Sequence, residues 1–184
     1  MSMTAGRQWR LTVAAVAVVV FLMAGCAKQT LAPPPISDGP LPLDLAIRSL
    51  ARDILDPIAQ VRGDRRDMAR IVIEPFFDRD GGEVPAVSRT IERGFMDAAA
   101  RYPNLSLARL SSKTVDGADY LITGTIGLDV RAGAGNGDSE PAYRVTARLA
   151  GLGENPLESQ SEVRVAGRDI DYTPTPFYRD NPIF

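Results

Sequence analysis

The sequence predicts an α/β (α+β) domain, a mixed β-sheet of about four to five strands with two main helices, in the order α-β-α-β-β-β-β. Three observations predict it. Apolar residues recur at helical spacing over two long segments, β-branched or alternating runs of strand length lie between and after them, and turn residues separate the runs. The composition sets the scale: 184 residues, 45% apolar and 24% charged with a formal net charge of −2, suit one globular domain and exclude a disordered or fibrous chain.

The first segment reads as an address. Arg7 and Arg10 precede an unbroken apolar run at 11–22, and Met23-Ala24-Gly25-Cys26 follows, which is the layout of a secretory signal peptide over residues 1–25. As a helix the run is roughly 18 Å long against a hydrocarbon core of about 30 Å, too short to span comfortably. With Met23, Ala24 and Cys26 counted in it reaches the lower limit for a spanning helix, so an uncleaved anchor is the alternative. Residues 26–42 then turn to Pro, Gly and small polar types, with Pro33-Pro34-Pro35 and Pro40-Leu41-Pro42, the composition of a semi-rigid tether. At near 3.1 Å per residue such a segment holds a domain up to roughly 50 Å from its anchor.

The domain is expected over 43–170. Leu43, Ile47, Leu50, Ala51, Ile54, Ile58 and Val61 share one helical face, and Pro57 is expected to end or bend that helix around Asp56. A charged connector at 62–70 contains Arg62-Gly63-Asp64, read as a turn rather than a recognition tripeptide. Ile71-Val72-Ile73 is a strand that Pro75 should end, opening into the loop 78–83. The spacing of Val87, Ile91, Phe95, Ala98 and Tyr102 predicts a second helix over 85–102, with Gly94 allowing close approach to a sheet and Pro103-Asn104 stopping it. Residues 105–110 alternate as a half-buried strand, 120–130 and 143–149 are the clearest strands with hairpin-loop chemistry at 133–140 between them, and 162–165 is the last. The helices are expected on one face of the sheet.

Several chemistries are excluded. With no His and one Cys, the chain lacks the commonest general base, the commonest metal ligand and any intramolecular disulfide framework. Lys occurs only at 28 and 113, and the arginines form no basic stripe, so no nucleic-acid partner is indicated. The best carboxylate cluster is Asp78, Asp80 and Glu83. Asp78-Arg79-Asp80-Gly81 resembles a fragment of a calcium loop but lacks the later ligands, so a solvated turn is expected, with Asp78 and Glu83 placed to cap the following helix. Gly133-Ala134-Gly135-Asn136-Gly137 has no Lys-Ser/Thr after it, and Ser111-Ser112-Lys113 is one residue short of a Ser-x-x-Lys pair. No catalytic residue, cofactor, metal or small-molecule substrate is therefore assigned. An enzyme centred on the acidic loop 78–83 and a purely structural envelope protein remain as alternatives.

The segment 171–184 carries Tyr172, Phe177, Tyr178, Ile183 and Phe184 among three prolines, and these rings must be buried somewhere. One possibility is a strap on its own domain. The other is a peptide that docks in a partner groove, with Tyr172, Phe177, Tyr178 and Phe184 as anchors.

Two resemblances add to this. Met23-Ala24-Gly25-Cys26 resembles a bacterial lipobox, which implies a diacylglycerol on Cys26, cleavage before it and a membrane-bound protein. By similarity to lipoprotein sorting in Gram-negative bacteria, Ala27 after that Cys implies the outer membrane, with the domain in the periplasm. The segment Ile71-Val72-Ile73-Glu74-Pro75-Phe76-Phe77-Asp78-Arg79-Asp80-Gly81-Gly82 and the segment Gly117-Ala118-Asp119-Tyr120-Leu121-Ile122-Thr123-Gly124-Thr125-Ile126 resemble paired motifs of TolB-N-terminal-like α/β domains. Such domains occur in penicillin-binding-protein activator lipoproteins (LpoB-type), flagellar FlgO-type lipoproteins and curli-secretion CsgG-type lipoproteins. The resemblance spans roughly 43–165 and implies a non-catalytic adaptor that binds an envelope protein partner. The chain departs from the pattern in having no room for a helix at 111–116, and no paired membrane hairpins as a CsgG-type pore requires.

Overall fold

The computed structural model describes residues 39–63, 67–129 and 141–175. Along them the elements are α1 (Leu43–Arg62), β1 (Ala69–Asp78), α2 (Val87–Ala99), β2 (Leu105–Arg109), β3 (Tyr120–Leu128), β4 (Ala142–Gly151) and β5 (Glu158–Ala166), then a 3-10 turn at Gly167–Asp169. This is the predicted order and class. The strands form one five-stranded sheet in the order β2-β1-β3-β4-β5; β1 is parallel to β2 and β3, and the rest pair antiparallel.

Alternation along the strands gives the sheet its two faces. Tyr120, Ile122 and Ile126 of β3 and Val145, Ala147 and Leu149 of β4 are buried in the core, while Thr123, Thr125, Thr146 and Arg148 point the other way. Both helices cover the first face, α1 on β4 and β5 and α2 on β1 and β2, and they also pack on each other. The next connection, 110–119, leads from β2 past β1 to β3, and Val72, on the face of β1 away from the helices, is 2% exposed.

The two sequence motifs fit one another. Phe76 is in register with Gly124, where a Cβ would lie 2.1 Å from the Phe76 ring, so the glycine of one motif makes room for the phenylalanine of the other. Phe76 also meets Phe95 of α2 at a ring separation of 5.9 Å. Asp119 of the second motif accepts from the Arg70 backbone N–H at 2.8 Å and pairs with Arg62 at 3.2 Å, tying the end of α1 to the start of β1.

Several expectations are corrected. Of the two outcomes expected at Pro57, an end at Asp56 is excluded, because the helix runs on to Arg62. Ile58 beyond the proline is fully buried, and burying such a side chain contributes about 1.5–3 kcal/mol, comparable to the about 3 kcal/mol an interior proline costs. Arg62 then stacks over Tyr120 at 5.7 Å, whereas Val61, expected on the apolar face, is 56% exposed. Pro75 does not end β1 either. Pairing with β2 stops at Ile73, the register with β3 shifts between Ile73 and Phe76, and the Phe76 N–H turns to Ser88 Oγ at 2.8 Å, so the proline sits where no ladder donor is needed. Gly94 approaches α1 rather than the sheet, since a Cβ there would lie 2.3 Å from Ile47 Cγ2.

The predicted helix 85–102 is shorter, Val87–Ala99, and β4 and β5 extend beyond 143–149 and 162–165 because each lengthens the other's ladder. Leu41 lies within the expected tether yet joins the sheet. Its N–H donates to the Arg164 carbonyl at 2.8 Å and its carbonyl accepts from Ala166 N–H at 3.0 Å.

Candidate functional site

The acidic loop follows from the strand that precedes it. Asp78 ends β1, and its carboxylate accepts from the Gly81 N–H at 2.8 Å, folding residues 78–82 into a turn that Gly82 completes at φ 68°. Its other oxygen accepts from the Tyr172 hydroxyl at 2.5 Å, and the same hydroxyl lies 3.0 Å from the Ile126 carbonyl. The Tyr172 bond, and then the loop N–H groups, hold the Asp78 carboxyl below its ordinary value. Burial, with Asp78 beside it, pushes the Tyr172 phenol up. Asp80 and Glu83 are exposed, and among the described residues no group of three acidic or sulfur side chains could hold a metal ion.

The helix capping expected of Asp78 and Glu83 is done by other groups. α2 has no side-chain cap; the Ala86 N–H donates to the Thr173 carbonyl at 2.8 Å and the Val87 N–H to the Asp171 carbonyl at 3.0 Å. Residues 171–175 thus form a strap across the start of α2. Tyr172 stacks on Tyr143 with ring centroids 5.0 Å apart, and Thr175 donates twice to the Val84 carbonyl. Of the anchors predicted in this segment, Tyr172 is half-buried against its own domain, while Phe177, Tyr178 and Phe184 lie outside the described residues, as do Cys26 and the 133–140 loop.

Two polar clusters escaped the sequence reading. On the open face of the sheet Asp129, 2% exposed, accepts from Arg164 at 2.7 Å and from Arg144 at 3.2 Å, and Arg144 also reaches Glu162 at 2.8 Å. This ties β3, β4 and β5 together on the side away from the helices. Under α2, Ser88 Oγ meets Glu92 at 3.3 Å, and Glu92, 1% exposed, pairs with Arg109 of β2 at 2.8 Å. The spacing of Ser88 and Glu92, four apart among the apolar residues of α2, was the available signal for the second. Nothing local signals the first, since its members come from three strands. Arg62 of the Arg-Gly-Asp tripeptide is 11% exposed and used in its ion pair, and Ser111 is bonded reciprocally with Thr114 in a turn.

An open concave surface lies between the helices. α1 and α2 run in the same direction, touching where Ile47 meets Gly94 and again where the Tyr102 hydroxyl donates to Asp56 at 2.5 Å. Burial first, and then Asp56, push the Tyr102 phenol up to about 12. Beside this contact an open groove of about 1240 Å³ has Ile47, Gly94 and Ala98 among its lining, with Arg48 and Arg52 on one wall and Arg93 and Arg101 on the other. Pro42 and Leu43, at the start of α1, line its upper end. Among the described residues no helix is long and apolar enough to cross a membrane.

Set beside known proteins, the chain matches no family model, no curated protein and no solved structure.

Proposed function

We propose that this protein is a lipid-anchored, non-catalytic adaptor of the bacterial envelope, held by Cys26 on the periplasmic face of the outer membrane and binding a protein of an envelope machine. A regulator of peptidoglycan synthesis or an assembly factor for a surface appendage is the machine-level reading that the motif resemblance favours. The observation that carries the proposal is the open groove between α1 and α2, placed beside the point where the predicted tether enters the domain. Leu41, bonded to β5 through both its N–H and its carbonyl, fixes the point at which the chain enters the domain beside the groove. The acidic loop favours an enzyme less, because Asp78 is already engaged by Tyr172 and by its own loop.

In-cell cross-linking followed by affinity purification tests the proposal, with the wild type beside Cys26→Ala and a truncation after Thr175. An adaptor yields one envelope protein with the wild type and loses it when the chain is released from the membrane. Recovery of glycan alone would favour a structural lipoprotein, and an empty list from all three chains would overturn the proposal.

A further inference from the structure

Resting on the adaptor reading, we infer that the groove between α1 and α2 is the docking site itself, and that it takes an amphipathic, acidic peptide segment of the partner. The charges along the groove decide the sign. At its upper end the acids are engaged: Asp44 pairs with Arg48, and Asp169 accepts from the Leu43 N–H at 3.3 Å. Lower down, Asp56 is taken by Tyr102, and Arg52 pairs with Asp53 at 3.6 Å. Arg93 and Arg101 make no ion pair among the described residues, with Asp97 as the only acid of that wall. The lower groove is therefore cationic on a chain whose formal net charge is −2.

Spacing selects the kind of anion. Arg93 lies within α2 and Arg101 just past its end at Ala99, so the cationic groups are spread along the wall and suit a ligand that carries separated charges. Gly94 and Ala98 between them offer a small-residue floor on which an apolar side of the ligand rests. A membrane surface fits less well, because the floor is recessed between two helices, where a flat layer of headgroups does not reach it. An acidic amphipathic segment, apolar on one side and bearing separated carboxylates on the flank, matches floor and walls together.

The test uses the full-length chain in nonionic detergent and a fluorescent peptide of about 15 residues built from Leu, Ala and Glu, beside the same peptide with Lys at every Glu. The Glu peptide binds by anisotropy and the Lys peptide does not. Rising salt weakens binding, and Arg93→Ala with Arg101→Ala weakens it about tenfold, as two half-screened pairs predict. Both arginines are exposed, so the variant keeps the fold, which circular dichroism checks; Ala98→Trp, which fills the floor, is an independent second variant. No binding of the Glu peptide, or binding that neither variant reduces, overturns the inference. So does a loss in the arginine variant only of binding to phosphatidylglycerol vesicles, or only of self-association, since the occupant is then a membrane or a second copy. The two proposals separate cleanly: a cross-linked partner that survives Arg93→Ala/Arg101→Ala leaves the adaptor standing and removes the groove. Peptide binding at the groove without any membrane-dependent partner does the reverse.

Discussion

At Gly94 a hydrogen in place of a side chain sets how near α1 and α2 approach. A Cβ there would overlap Ile47 Cγ2, a branched core atom, so Gly94→Ala is expected to destabilise the fold by up to about 2 kcal/mol. Overpacking of about 1–3 kcal/mol exceeds the roughly 1 kcal/mol that alanine gains in helix propensity. A lower urea midpoint with an unchanged slope is the expected reading, and an unchanged midpoint would mean that the helices part without cost. Tyr172 is the second such position. Tyr172→Phe keeps the ring on Tyr143 but removes the hydroxyl from Asp78 and Ile126, for a loss of about 1 kcal/mol in the same assay. Both residues stand out in the sequence, one as a glycine on a helical face and one as an aromatic in a proline-rich tail. Their neighbours do not, because periodicity says which face is covered and not by what.

Among elements, α1 runs through its proline, and residues 171–175 pack on their own domain, one of the two outcomes expected of the tail. Pro57 in the helix interior leaves the Asp53 carbonyl without its usual N–H donor, so Pro57→Ala is expected to raise stability, by up to about 3 kcal/mol less whatever packing the half-buried ring contributes. A fall in melting temperature would show instead that the ring's contacts outweigh the backbone bond. The strap supplies carbonyls to two N–H groups at the start of α2, and a chain cut after Ile170 loses these together with the Tyr172 bonds. About 3 kcal/mol of stability should go with them, whereas a cut after Thr175 keeps every one of those bonds. Comparing the two melting temperatures checks this; equal values would make the strap an accessory. The proline rule that misplaced the end of β1, and offered Asp56 as an end for α1, is a local rule. It was overruled where Ile58 had a core to enter and where β1 had outrun its β2 neighbour.

For the molecule as a whole, the perturbed groups shape stability against pH. Asp78 titrates lower in the folded chain than its ordinary 3.8, so its contribution is complete above that value and is lost as the pH falls through the folded one. Burial raises Glu74, which acts in the opposite direction and softens the acid loss. Tyr102 moves from 10.0 to about 12, so its contribution is complete below pH 10 and disappears as the pH rises toward 12. Urea midpoints measured across pH should therefore fall on the alkaline side from about pH 10, with a smaller fall in Tyr102→Phe; equal slopes in the two chains would remove Tyr102 as the cause. The sequence by itself determined the element order, the faces of the helices and strands and the class of the sheet, because each follows from periodicity and turn chemistry within a few residues. It also supplied the expectation of an anchor and tether. Only the tertiary structure decided that Gly94 meets a helix, that carbonyls of a distant strap cap α2, that Asp129 gathers arginines from two strands, and that cationic walls face each other across the groove. Those pairings join residues far apart in the chain, and their partners are chosen by the packing of elements rather than by any local pattern.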